Sequence, residues 1–89
     1  MNIEAVEKIN AALSNPIQYT EKAARDMKKA HFDEEMLKKI LTNPRKVEES
    51  GENTYILHGD KTARVKVEIT QDASLLVHWF EYNKVAFVF

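Results

Sequence analysis

The sequence predicts an α+β domain in which N-terminal helices pack on a four- or five-stranded antiparallel sheet. The first 44 residues contain no glycine, and their apolar residues recur at helical spacing. From residue 45 onward apolar and polar residues alternate, which is typical of strands with one buried face. The 89 residues correspond to one domain, residues 1–89, at the usual domain size. Helices followed by a run of strands are the order of an α+β fold.

Three helices are predicted in the first half of the chain. The first ends at Asn15-Pro16, because the residue before a proline is disfavoured in a helix. Its apolar face consists of Ile3, Val6, Ile9 and Leu13. Thr20 and Asp33 have side chains that cap helix N-termini, so the second helix is expected to begin after Thr20 and the third after Asp33. The third helix ends at Asn43-Pro44, and its core residues are expected to be Met36, Leu37 and Ile40.

Strands are predicted at residues 45–49, 54–58, 63–70, 75–81 and 85–89, separated by turn residues. In the third of these segments the alternation assigns two faces. Val65, Val67 and Ile69 are expected in the core, and Arg64 and Lys66 on the opposite face. In the fourth segment, strict alternation places Trp79 with Leu75 and Val77, and His78 with Leu76 and Phe80.

Composition excludes several classes of protein. The chain has no cysteine, so disulfides, thiolate metal sites and cysteine nucleophiles are excluded. A net charge of −1 provides no overall attraction to nucleic acid or to an anionic membrane. No apolar run is long enough to span a membrane, and acidic residues near the N-terminus disfavour a signal peptide. A cytoplasmic protein without metal or other cofactor is therefore expected, and no phosphate-binding glycine loop is present.

Several short segments carry a resemblance to a known family. Tyr19, Thr20, Ala23 and Met27 have the spacing of that family's first helix opening, residues 32–35 are similar to its second helix start, and Asn43-Pro44 to its helix stop. On these segments the chain resembles the small prokaryotic domain-of-unknown-function 4258 family, which is related in fold to the RelE, ParE and BrnT toxins. The resemblance covers residues 19–82 and leaves the N-terminal helix, residues 1–14, and residues 83–89 outside it.

The resemblance implies a toxin-related domain, as in toxin–antitoxin systems, whose sheet face binds RNA on the ribosome. Such a domain cleaves RNA without a metal ion, using a base, cations and an acid. The implied catalytic residues are His78, Lys22, Arg64 and Lys66, which are expected to converge in one cleft, and Tyr82 by its position near the C-terminus. The chain departs from the family pattern in having Lys22 where the family has histidine and His78 where it has threonine, and in not being basic.

The residues themselves leave alternatives open at each position. Lys22, Arg25 and Lys29 lie on neighbouring turns of one helix and are predicted to bind RNA phosphates, or else form a solvated helix face. Arg64 and Lys66 position a phosphate or occupy the wet face of the sheet. His78 is a general base or a hydrogen-bonded structural histidine. His31 and His58 lack a second ligand at metal-binding spacing, so no metal site is predicted.

Residues 85–89 are apolar on both faces, and residues 75–80 also have apolar side chains on both faces. A strand of this kind is covered on both sides, either by the first helix or by a partner chain. We therefore expect a homodimer or a protein partner such as an antitoxin. Two functions are left open: a RelE-like ribonuclease or its catalytically silent descendant, and a non-enzymatic interaction or homodimerisation module, for example from a phage or mobile element.

Overall fold

Three helices and a five-stranded sheet make up the part of the chain that the computed structural model describes, residues 3–59 and 63–82. The predicted α+β fold is confirmed. The elements in chain order are α1 (Ile3–Ala12), β1 (Gln18–Tyr19), α2 (Glu21–Lys29), α3 (Glu34–Thr42), β2 (Lys46–Gly51), β3 (Thr54–His58), β4 (Ala63–Ile69) and β5 (Leu75–Tyr82). The predicted strand at residues 85–89, with the association surface inferred from it, lies outside the described residues.

The sheet has the order β1-β5-β4-β3-β2, and its last four strands form the expected antiparallel meander. β1 pairs with β5 in parallel, with Gln18 opposite Leu76 and Tyr19 opposite Val77, so the sheet is mixed rather than purely antiparallel. This strand is only two residues long, which is too short for alternation to reveal it. Its pairing makes β5 an inner strand of the sheet.

Side chains cap the second and third helices at the residues that the sequence predicts. Thr20 Oγ1 accepts a hydrogen bond from the backbone N–H of Ala23 at 3.1 Å, and Asp33 Oδ1 accepts one from Met36 at 2.9 Å. The Tyr19 hydroxyl donates to Glu34 Oε1 at 2.8 Å and so ties β1 to the first turn of α3. Burial together with this hydrogen bond raises the pKa of Tyr19.

All three helices contribute to one hydrophobic core against one face of the sheet. α1 packs on α3 and β4, while α2 packs on β5. The fully buried side chains include Ile9, Leu37, Leu41, Leu57, Val65, Val67, Leu75 and Val77. Met36, which was expected in the core, is 41% exposed, so this part of the prediction is wrong. Leu37 and Leu41 already fill the face of α3 that meets the sheet, which leaves Met36 at its edge.

A close approach fixes the position of α3 over the end of β3. A Cβ atom on Gly59 would lie 2.8 Å from Cγ1 of Ile40, which is closer than real Cβ contacts. Glycine at this position therefore lets the helix pack directly on the backbone, with Ala63 of β4 beside it.

The face of the sheet opposite the helices is called the open face below. The first helix was one candidate to cover it, but α1 contacts α3 and β4 within the core. In residues 3–59 and 63–82 no helix packs on the open face, which carries exposed or half-buried side chains such as Arg64, Lys66 and Glu68.

Truncating Leu37 to alanine is expected to lower the free energy of unfolding by about 2–5 kcal/mol, because it leaves a cavity in a fully buried site. Met36→Ala on the same helix is the matched control and is expected to cost about 1 kcal/mol or less, since that side chain is partly in water. Urea denaturation measures both values. Equal losses in the two variants would contradict the described packing of α3.

Candidate functional site

Cross-strand registers arrange the open face in rows, because residues directly opposite each other in a sheet share a face. The first row joins four strands through Lys46, His58, Arg64 and Glu81. The second row consists of Glu48, Ile56, Lys66 and Trp79. A third row contains Thr54, Glu68, Leu76 and Gln18. The face therefore mixes acids, cations and apolar side chains.

A β-bulge in β5 decides which side chains reach this face. Lys66 pairs with Trp79 and the next residue, Val67, pairs with Val77, so His78 is an extra residue without a direct partner on β4. His78 and Trp79 consequently both belong to the open face, while Phe80 is only 3% exposed and lies in the core. The strict alternation expected for this strand is wrong, because one inserted residue reverses the faces of those that follow.

The second helix satisfies backbone groups around the bulge. Thr20 donates its hydroxyl to the carbonyl oxygen of His78 at 2.7 Å and its backbone N–H to that of Val77 at 3.0 Å. The N–H of Phe80 donates to Asp26 Oδ2 at 3.3 Å. A bulge interrupts the ladder of the sheet, so its backbone groups need partners of this kind. The start of α2 therefore holds His78 in its place.

His78 is paired with a carboxylate on the neighbouring strand. Its Nε2 lies 2.8 Å from Glu68 Oε1, and the two side chains are 32% and 39% exposed. A carboxylate in this position fixes the orientation of an imidazole and selects the tautomer with the proton on the bonded nitrogen. Nδ1 of His78 is then the unprotonated nitrogen of the ring.

A second pair of the same kind lies at the other end of the face. His58 Nε2 is 2.7 Å from Glu48 Oε1, and Lys46 Nζ is 3.5 Å from the same oxygen. The hydrogen bond from His58, helped by the charge of Lys46, lowers the pKa of Glu48. β4 lies between the strands of His58 and His78, so the two rings are separated by about 10 Å across the sheet. They are also offset along the strands, because they lie in different rows. They therefore do not reach one phosphodiester together.

Cationic side chains surround Trp79. The guanidinium carbon of Arg64 lies 5.8 Å from the centre of the indole ring, and the same side chain forms an ion pair with Glu81. Lys66 is the direct cross-strand neighbour of Trp79. The structure thus brings together three of the predicted site residues, Arg64, Lys66 and His78. The positions of Trp79 and Glu68 beside His78 were not predicted from the sequence. A bulge and a contact between residues ten apart leave no signal in the alternation of polar and apolar residues.

Among the described residues, the open face carries no continuous positive charge. Its cations Lys46, Arg64 and Lys66 are matched by Glu48, Glu68 and Glu81, and most of these groups are in ion pairs or hydrogen bonds with each other. Long-range attraction of a polyanion by these described groups is therefore weak.

Lys22, Arg25, Lys29 and Tyr82 lie on the other side of the sheet. The three cations are exposed on α2, which packs on β5 from the helix side, and Lys22 Nζ pairs with Asp26 at 3.1 Å. The ring centre of Tyr82 is 5.9 Å from that of Phe32 and 6.4 Å from that of Phe80, within the core layer. The sheet separates Lys22 and Tyr82 from His78, so the predicted residues do not converge in one cleft.

A metal site and a membrane-spanning helix are both lacking in the described residues. Among them, no group of three or more His, Asp or Glu side chains is arranged to hold a metal ion. No helix in this part of the chain is long and apolar enough to cross a membrane.

Neither a protein-family model, nor a curated protein, nor a solved structure matches this chain. The function is therefore inferred from the geometry of the open face.

Asp26→Ala is expected to remove the hydrogen-bond partner of the Phe80 N–H and to lower the free energy of unfolding by about 1–3 kcal/mol. Asp26→Asn keeps an oxygen acceptor and is expected to cost less. Arg25→Ala, at the preceding residue of the helix, serves as the control and is expected to change little. Hydrogen exchange of the Phe80 amide gives the local measurement, and unchanged protection in Asp26→Ala would contradict the proposed support of the bulge.

Proposed function

We propose that the open face binds single-stranded RNA and that the chain is a RelE-like, toxin-related domain acting in the cytoplasm as a metal-independent ribonuclease. The observation that carries this proposal is the bulge in β5. It sets an imidazole and an indole side by side on the open face, next to Arg64 and Lys66. Bulges are frequent beside active sites, where they redirect a side chain.

Trp79 provides the surface on which an RNA base stacks. Stacking of a base on an aromatic side chain contributes about 1–3 kcal/mol and is open only to unpaired bases. Arg64 and Lys66 flank the indole and supply cations for the adjacent phosphate groups. Because the face as a whole is balanced in charge, this site favours a short single-stranded segment over a duplex backbone.

The reaction that fits these groups is transesterification within the RNA. Nδ1 of His78 accepts the proton of a ribose 2′-hydroxyl, and the 2′-oxygen forms a bond to phosphorus. The bond from phosphorus to the 5′-oxygen breaks, and that oxygen takes a proton from the ammonium group of Lys66. Arg64 stabilises the negative charge on the phosphorus oxygens in the transition state. The products are a 2′,3′-cyclic phosphate and a 5′-hydroxyl, and Glu68 acts as a positioning residue for His78.

The resemblance of residues 19–82 to toxin-related domains supports the proposal independently of the site. One of the segments that carry the resemblance, around Tyr19 and Thr20, accepts and donates the hydrogen bonds that hold the backbone of residues 77 and 78. Lys22, Arg25 and Lys29 take no part in the reaction, since they lie beyond the sheet. Their predicted contacts to phosphates stay a prediction for RNA that extends past the helix layer.

Titration with an oligouridylate is expected to quench the fluorescence of Trp79, which is the only tryptophan of the chain. Lys66→Ala is expected to weaken binding about tenfold and to reduce the slope of log K against log salt by about one. Lys8→Ala, on the distant helix α1, is the matched control and is expected to leave both values unchanged. Unchanged fluorescence at saturating RNA would contradict stacking on Trp79.

His78→Ala is expected to reduce RNA cleavage by roughly 10²–10⁴-fold, the range for loss of a general acid or base. His58→Ala removes the other histidine that is paired with a glutamate on the same face and is the matched control, with little expected effect. Glu68→Gln is expected to lower kcat by less than His78→Ala does. Product analysis for a cyclic phosphate checks the reaction, and equal losses in the two histidine variants would contradict the assigned role.

The balanced charge of the open face favours a second candidate function, a non-enzymatic module that binds a protein partner or a second copy. Acids and cations alternate around the apolar side chains of Ile56, Leu76 and Trp79, an arrangement that is able to pair with itself. Sedimentation of the wild-type chain and of Trp79→Glu separates the two functions. A dimer that dissociates in the variant, together with absence of RNA binding, would favour this second candidate.

A further inference from the structure

A pocket of about 870 Å³ lies on the helix side of the sheet, at the end of α3. It is formed where α3 and the segment after it meet the end of β3, the start of β4 and the end of β5. Its volume is in the range of sites that hold small molecules. Because the sheet lies between this pocket and the open face, it has no part in the function proposed above.

The walls of the pocket are polar and apolar in equal measure, and the apolar part is formed by side chains from several elements. Phe32 and Tyr82 form an aromatic wall, with ring centres 5.9 Å apart and planes inclined by 42°. Ile40, Pro44 and Ala63 lie deeper and are themselves buried, and Met36 lies at the more exposed side. The exposure of Met36, 41% of its surface, follows from this position. A flat apolar group that enters the pocket removes these surfaces from water.

Among the described residues that line the pocket, the charged ones are both cations. Lys39 and Arg45 contribute to its lining, and none of the described lining residues is Asp or Glu. Neither cation forms an ion pair with any residue in the described part of the chain. By contrast Lys38, one residue earlier on α3, lies 3.9 Å from Glu34.

The end of α3 opposes an anion only weakly. Its C-terminal carbonyl groups carry the equivalent of about half a negative charge. Two full positive charges on Lys39 and Arg45 outweigh that partial charge, so the described lining of the pocket carries a net positive charge. In a chain whose overall charge is −1, this local excess is a property of the pocket rather than of the whole surface.

We propose that this pocket binds a small amphipathic anion, an aromatic or apolar body that carries one carboxylate or sulfonate group. The body contacts Phe32, Met36 and Tyr82, and the anionic group lies between Lys39 and Arg45. This class fits the pocket because apolar surfaces alone accept a neutral ligand, whereas two cations without an acidic partner among the described residues favour a negative one.

Two fluorescent probes that share one aromatic body test the proposal on the full chain. Anilinonaphthalene sulfonate carries a negative charge, and N-phenylnaphthylamine is its neutral counterpart. The sulfonate is expected to bind about tenfold more tightly than the neutral probe. Lys39→Gln and Arg45→Gln are each expected to weaken sulfonate binding about five- to tenfold and to leave the neutral probe unchanged. Lys38→Gln is the matched control and is expected to change neither.

A second pair of variants separates charge from folding. Met36→Glu and Met36→Lys place equally polar side chains at the same exposed edge of the pocket, and both are expected to fold. Met36→Glu is expected to weaken binding of the sulfonate, and Met36→Lys to retain it. Equal binding in these two variants, or equal affinity of the charged and neutral probes, would overturn the proposal.

Two further outcomes bear on the occupant. Displacement of the sulfonate by an oligouridylate would make the pocket part of an RNA site and would overturn the proposal, whereas unchanged binding in the presence of RNA supports it. Failure of the probe to bind the full chain would mean that the protein itself fills the pocket, and would overturn the proposal. A doubled mass that falls when the probe binds would mean that a second copy occupies the pocket, and would likewise overturn it.

Discussion

The bulge at His78 is the constraint on which both faces of this protein depend. Without the extra residue, strict alternation along β5 would direct Trp79 into the core and Phe80 toward water. With it, Leu75, Val77 and Phe80 all belong to the core, and His78 and Trp79 share the opposite face. One inserted residue therefore completes the hydrophobic core and creates the candidate site at the same time.

The bulge is stabilised because α2 and its N-cap provide hydrogen-bond partners for its backbone groups. The hydroxyl of Thr20 has two bonds, donating to the carbonyl of His78 and accepting from the N–H of Ala23. Asp26, six residues after Thr20, accepts a hydrogen bond from the N–H of Phe80 and is itself paired with Lys22. Lys22, to which the resemblance gives a catalytic role, lies in the helix layer. There it pairs with Asp26, which accepts the hydrogen bond from β5.

The two faces of the sheet present different chemistry. The open face is balanced in charge, with both of its histidines held by glutamates at 2.7–2.8 Å. The pocket at the end of α3 combines an aromatic wall with Lys39 and Arg45, without an acid among its described residues. We propose the first surface for a single-stranded RNA and the second for a small anion. The sheet keeps the two apart, so each proposal stands or fails by itself.

The sequence by itself determined the helices, the antiparallel strands and the inner face of β4. Those features depend on local causes: Thr20 and Asp33 cap helices with their own side chains, Asn43-Pro44 ends α3, and Val65 and Val67 alternate with polar neighbours. Local patterns of this kind are visible within a few residues of the chain.

Only the tertiary structure decided the rest, since it depends on contacts between residues far apart in the chain. The pairing of Tyr19 with Val77 and the bond from Thr20 to His78 join segments 58 residues apart. The contact between Glu68 and His78 crosses from one strand to the next. α3 has more apolar residues than its contact with the sheet can bury, so Met36 is left at the edge of a pocket. Alternation and spacing describe one segment at a time, whereas these features arise where two segments meet.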